Sequence, residues 1–409
     1  MTTPTGDRSG RAGTGSLTII NALVFDGVSA ELTEGSVLVV DGVIAGIGSV
    51  QEAGPVLDAR GGTVIPGLID AHFHAYGVQA SLIDIETSPM SYVAIAAGRR
   101  LASTLRRGFT TVRDVAGGDA GLARAIDEGL IQAPRYLFTG PALSQTGGHG
   151  DCRPADMELG TCHSHMCEVV EGVDALRHAV RERFRQGAHA IKIMTSGGVI
   201  SPTDPIRAPQ YSAEEIRAVT EEADRRGSYV AAHAYSPEAI IHSVTNGVRS
   251  VEHGNLLDDE AARVMAHRGA FLVPTLAAYH SVAWRGKELG VAPEGMAKNR
   301  EVLAAGCTAI ERARAAGVQI GFGTDLMGEE EEDQLQGLWL QAEVSGPLET
   351  LRSATAVNAA ILGRTDLGRV MVGATADLIV LDGNPLEDIS VLWADSCRRT
   401  VIQSGIPLN

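Results

Sequence analysis

Aromatic side chains are scarce, at 4% of the 409 residues, which disfavours functions built on base stacking or on carbohydrate-stacking faces. Cysteine is sparse too. There are five, an odd number, with no Cys-x-x-Cys pair, so the sequence predicts reduced thiols in a cytoplasm rather than a disulfide framework. Positive charge is in deficit. Lys and Arg number 34 against 50 Asp and Glu, a net charge of −16, and that field repels phosphate backbones and anionic lipid. Nucleic acid and membrane are therefore not expected as partners. No window reaches eighteen uncharged apolar residues, and the leader MTTPTGDRSGRAGTGS has no apolar stretch, so neither a membrane span nor export is expected. The chain also lacks a G-x-S-x-G elbow, a P-loop, a G-x-G-x-x-G turn and an H-E-x-x-H helix, which removes the catalytic classes those motifs serve.

Hydrophobic residues make up 44% of the chain, an ordinary share for a large buried core. Residues 1–16 are expected to be a disordered tail. Residues 17–65 read as short strands with Gly and Asp turns, including the Asp41-Gly42 hairpin signal, and residues 365–409 repeat that style. Isolated hairpins are marginal in water, so the two ends are expected to combine into one small β-sandwich. In residues 66–364, eight apolar strand-like runs alternate with amphipathic helical runs. The runs are TVIPGLIDAHFH, FTTVRD, RYLFTG, HAIKIMT, YVAAHAY, RSVEHG, AFLVPTL and VQIGFGTD. This alternation predicts an α/β fold, a (β/α)8 TIM barrel, with a doubly wound open sheet as the alternative.

The ionisable residues decide between them. His72 and His74 end the first run, Lys192 lies in the fourth, His233 and His253 end the fifth and sixth, and Asp325 ends the eighth. In a barrel those ends meet at one mouth, where such enzymes keep their active sites. Residues two apart on a strand share a face, so Asp70, His72 and His74 are expected on one side. Taken singly, His233 and His253 are as readily structural, and Asp325 is as readily a helix cap. Lys192 is costly to bury as an ammonium, so it must be paired, neutralised or modified. Reaction of its neutral amine with CO2 gives a carbamate, an anionic ligand able to bridge two cations.

This constellation resembles the binuclear, carboxylated-lysine branch of the amidohydrolase superfamily. The matching pieces are Pro66 to His74, Ile191-Lys192-Ile193, His233, Glu252-His253-Gly254 and Gly323-Thr324-Asp325. The segments Gln145 to Asp151, Thr195 to Val199 and His233 to Ala239 are similar to the imidazolonepropionase-related group, which includes Xaa-Pro dipeptidases, ochratoxin hydrolases, and phenylurea and thiocarbamate hydrolases. The resemblance implies two divalent ions, zinc in the first instance. His72, His74 and Asp325 would hold the more buried ion, His233 and His253 the outer one, and carboxylated Lys192 would bridge them. It implies hydrolysis of an amide-like C–N bond by a metal-bridging hydroxide, with Asp325 shuttling the proton. His149 and Tyr235 would orient a small-molecule substrate in a homo-oligomeric enzyme; a loop His and a packed Tyr are the plainer readings.

Two further features stand out. Cys152, Cys162, His163, His165 and Cys167 gather in one segment, and thiolate with imidazole is zinc-ligand chemistry. Without a Cys-x-x-Cys pair, a third metal is not expected there. The run Glu329 to Asp333 is expected to be an exposed turn at a helix N-terminus; any part that faces the mouth would favour cationic or neutral substrates. A cyclic amidase or deaminase with one metal is the alternative activity, and a non-catalytic scaffold the alternative class.

Overall fold

The computed structural model describes residues 15–153, 165–201 and 204–408. The expected tail lies outside the described residues except for Gly15 and Ser16, and Ser16 already opens the first strand, Ser16–Val24. Eight parallel strands form the barrel: β1 (Leu68–Phe73), β2 (Phe109–Asp114), β3 (Arg135–Phe138), β4 (Ile191–Met194), β5 (Val230–Ala234), β6 (Ser250–His253), β7 (Phe271–Val273) and β8 (Gln319–Ile320). All eight fall within the runs expected from sequence. The first run divides: its beginning, Thr63–Pro66, belongs to the terminal sheet and only the part after Gly67 enters the barrel.

Ladder pairing joins β1 to β2 to β3, and β4 through to β8. The ring is completed by single bonds. The His189 N–H donates to the Phe138 carbonyl at 2.8 Å between β3 and β4. At the seam between β8 and β1, the Ala71 N–H donates to Phe322 O at 3.0 Å and the Asp325 N–H to His72 O at 2.8 Å. One buried side chain ties that seam. Asn358 donates to Ile69 O and Phe322 O, both at 2.7 Å, and accepts from the Phe322 N–H at 3.0 Å. The sequence reading does not anticipate two short strands, Ala142–Ser144 and Cys167–Val169, which pair with each other, the first also pairing with β4 through Leu143 and Ile193.

Two of the helices that follow barrel strands or their loops start at caps written in the sequence. Ser212 and Glu215 form a capping box for Ala213–Arg225, and Ser236 with Pro237 opens Pro237–Thr245 directly after β5. That cap leaves only a short turn after His233, which holds Tyr235 at the mouth. Strands from both chain ends join in one eight-stranded sheet, in which Thr63–Pro66 pairs antiparallel with Leu378–Leu381. Its own apolar cluster includes Ile19, Val37, Ile44 and Leu378. Among the described residues, no helix is long and apolar enough to cross a membrane.

Asn358→Ala removes the partner of three buried backbone groups at the seam. It is expected to lower stability by about 3 kcal/mol in denaturant unfolding; a loss within error would show that the backbone bonds alone close the barrel.

Candidate active site and metal centre

His72 and His74 leave β1 two residues apart, with ring centroids separated by 5.1 Å. Their Nε2 atoms converge on one oxygen, Asp325 Oδ1, at 3.3 and 2.9 Å. The approach of the eighth strand's extension to β1 needs a glycine, since a Cβ on Gly323 would lie 2.5 Å from that of His72. Three non-glycine residues at the mouth have positive φ: His253 at 76°, Thr275 at 44° and Asp325 at 57°. Such angles are strained, most of all for a β-branched threonine. They turn the chain at the strand ends toward the mouth. Thr275 recovers an interaction there, with its Oγ1 2.8 Å from His253 Nδ1.

Beneath the mouth lies a buried ion pair. Arg113 donates to Glu252 Oε1 at 2.7 Å and to Ala71 O at 2.6 Å, and Ser250 also donates to Glu252. Glu252 Oε2 accepts from His72 Nδ1 at 2.8 Å. Burial favours the neutral acid, but Arg113 and His72 hold the Glu252 carboxyl well below the ordinary range. With Nδ1 carrying the proton, His72 Nε2 presents its lone pair to the mouth, the carboxylate–imidazole arrangement that orients metal-bound histidines.

Lys192 is 2% exposed. Burial pulls its ammonium down to about 8, against Glu252 and Asp325, which favour the charged form. Burial also holds His233 and His253 neutral; at His233 the neighbouring basic groups add to the effect, while at His253 burial prevails against Asp325, which favours the charged form. For Asp325 burial is outweighed by His72 and His74, which keep it ionised. Neutral imidazoles with a carboxylate are the ligating forms of these groups. His72, His253 and Asp325 offer ligand atoms within 4.8 Å of one another, the one such group among the described residues. The His233 ring is 4.5 Å from that of His253, and its Nε2 bonds Gly197 O at 3.1 Å, which leaves Nδ1 for a ligand. The donor set therefore fits divalent cations.

His149 stacks on His233 at 4.2 Å. Its ring lies over Gly198, where a Cβ would come within 2.0 Å of His149 Cε1. Tyr235 stacks on His253 at 5.0 Å, and its hydroxyl is 2.7 Å from that of Tyr279. Both His149 and Tyr235 line a cavity of about 440 Å³ that also contains His72, His74, Lys192 and Asp325. Tyr279, whose hydroxyl is 2.8 Å from His253 Nδ1, is missing from the sequence reading. It sits on the helix after β7, in no motif.

Two expectations need correction. Asp70 does not join the histidines: its carboxylate accepts from the His72 N–H, from the Thr324 N–H and hydroxyl, and from Gln334, and so braces the turn that leads to Asp325. The acidic run is not wholly exposed. Glu331 pairs with Arg107 at 2.8 Å, Asp333 with Arg285 at 3.4 Å, and Glu330 is buried in the cavity wall. Of the cysteine cluster, Cys162 and His163 lie outside the described residues. Cys152 and Cys167 line the cavity, but burial pushes the Cys167 thiol up to about 12, away from the thiolate that binds zinc.

Residues 63–406 match the amidohydrolase family. The chain is 33% identical over 418 residues to ochratoxinase from Aspergillus niger, covering 95% of this chain and 86% of that protein. Among solved structures, it is similar to a prolidase complexed with N-methylphosphonate-L-proline, with 43% identity, a TM-score of 0.92, and coverage of 96% of this chain and 99% of that one. A Xaa-Pro dipeptidase with methionine bound in its active site is 31% identical with a TM-score of 0.86, over 96% of this chain and all of the other (100%).

Arg113→Met leaves Glu252 charged and unpaired in the barrel interior. The expected cost is about 3–5 kcal/mol in urea unfolding. Adding Glu252→Gln should return part of the loss, and a double variant no more stable than the single one would contradict this account of the pair.

Proposed function

The chain belongs to the amidohydrolase family and is a hydrolase of amide-like C–N bonds; from that premise we propose a metal-dependent enzyme with two divalent ions and a carboxylated Lys192. The observation that carries this reading is the convergence of His72 and His74 Nε2 on Asp325 Oδ1, at 3.3 and 2.9 Å, beside a buried lysine. His72, His74 and Asp325 would hold one ion, His233 and His253 the other, and the Lys192 carbamate both. When bound, divalent cations such as zinc lower the pKa of water toward neutrality and polarise a scissile carbonyl.

The chain's own residues do the rest. Glu252 fixes His72 through Nδ1, and the Tyr279 and Thr275 hydroxyls fix His253. Asp325 takes the proton of the attacking water at a carboxylate oxygen and returns it to the leaving nitrogen. His149 and Tyr235 grip a carbonyl oxygen or carboxylate of the substrate. A tyrosine hydroxyl whose proton is retained by burial suits that role as a donor. The similarity to a prolidase and a Xaa-Pro dipeptidase favours dipeptides and N-acyl amino acids; aryl ureas and carbamates remain within the class. A small-molecule enzyme of the cytoplasm, working as a homo-oligomer, is the setting proposed.

Elemental analysis with native mass, on protein purified with bicarbonate and zinc, tests the centre. About two metals per chain and the added mass of one CO2 are expected; one metal and no CO2 would favour a single-metal cyclic amidase or deaminase, and no metal at all a scaffold. Lys192→Ala should lose metal and most activity, and normal metal content and rate would remove the carbamate. Tyr235→Phe should raise KM for carboxylate-bearing substrates, and unchanged kinetics would take Tyr235 out of the binding site.

A further inference from the structure

One carboxyl in the cavity wall has no part in that chemistry. Glu330 lies in the turn Gly328–Asp333, lines the cavity beside Met327 and Val282, and is 5% exposed. Its Oε2 accepts weakly from the Met327 N–H, at 3.5 Å, while Oε1 accepts no hydrogen bond. The neighbouring Ser281 hydroxyl is also buried without a well-formed hydrogen bond, though it lies near enough to Glu330 to favour the charged carboxylate. Other partly buried acids of the same run have their cations: Glu331 has Arg107 and Arg100, and Asp333 has Arg285. Among the described residues, Glu330 makes no direct ion pair; Arg100 senses its charge but spends its guanidinium on the Leu326 and Gly328 carbonyls and on Glu331.

A buried carboxylate without a cation is costly, and proteins normally pair it or keep it neutral. Burial pushes the Glu330 carboxyl up to about 7 against the Ser281 hydroxyl and the Met327 N–H, which favour the carboxylate, and Asp325 and Asp333 push further upward. The cations nearer the cavity are occupied. Arg153 is held by both oxygens of Asp151 at 2.7 Å, and Lys192 becomes anionic once carboxylated. We infer that Glu330 is the subsite for a positively charged nitrogen of the substrate, an ammonium or guanidinium, whose entry completes the missing pair. The inference rests on the hydrolase reading and narrows it to substrates that carry such a group. The chain's charge of −16 draws that class toward the mouth.

A cationic nitrogen can be the α-ammonium of a dipeptide or a basic side chain, and matched substrates separate the two. Propionyl-leucine and alanyl-leucine differ by the α-ammonium; norleucyl-leucine and lysyl-leucine differ by the side-chain ammonium. In the metal-loaded enzyme, the cationic member of at least one pair should lead in kcat/KM by about tenfold or more. In Glu330→Gln that lead should collapse. A lead of equal size in both proteins, or no lead in the wild type, overturns the inference.

If no member is hydrolysed, the hydrolase reading fails on these substrates, and binding still reads the subsite. Hexanamide, norleucinamide and lysinamide carry none, one and two ammonium groups. Calorimetric titration should give tighter binding with added ammonium in the wild type and not in Glu330→Gln; equal affinities for the three in the wild type overturn the assignment.

Discussion

The buried Arg113–Glu252 pair is the constraint on which the mouth of the barrel depends. It places an anion where water cannot screen it, and the neighbourhood is arranged around that anion. His72 donates its Nδ1 proton to it, and Lys192 and Ser250 stand close enough to respond to it. Pairs of this kind contribute little net stability, because desolvation offsets most of the attraction. Their effect is positional. One imidazole is fixed in tautomer and angle, and Asp325 and His74 then meet that imidazole in a defined geometry.

Around this floor the fold uses strain and close approach rather than bulk. His253, Thr275 and Asp325 hold positive φ at three successive strand ends, and Gly323 and Gly198 let backbone pass where a methyl group would collide. Local conformations of this cost persist only where the surroundings over-determine them. Here the surroundings are the Thr275–His253–Tyr279 contacts and the four bonds that Asp70 makes to the Asp325 turn and its neighbours.

Much of this was legible in the sequence, because period-two alternation and one polar residue per strand end survive folding. His72 and His74 follow from alternation alone. His253 does not, since its positive φ breaks the alternation that would otherwise set it opposite Glu252. The same rule misleads at Asp70, whose carboxylate is taken up by Thr324 and Gln334 instead of the cavity. Tyr279 is a helical residue whose hydroxyl partners come from β6 and from the turns after β5 and β7, and no local pattern marks it. Within Glu329 to Asp333 five like charges read alike, and only the packing of the turn selects Glu330 to face inward. The strands Ala142–Ser144 and Cys167–Val169 are too short for periodicity to register.

The seam tied by Asn358 has a consequence for the order in which the molecule comes into being. His72 and Asp325 face each other across that seam, and the Thr63–Pro66 strand beside it pairs with Leu378–Leu381 near the other end of the chain. A polypeptide emerging from a ribosome N-terminus first exposes its histidine pair early and meets the aspartate and the suture only after the other barrel strands have been made. The earliest-made piece of the site therefore waits, without the aspartate it faces in the finished barrel, while about 250 further residues are made.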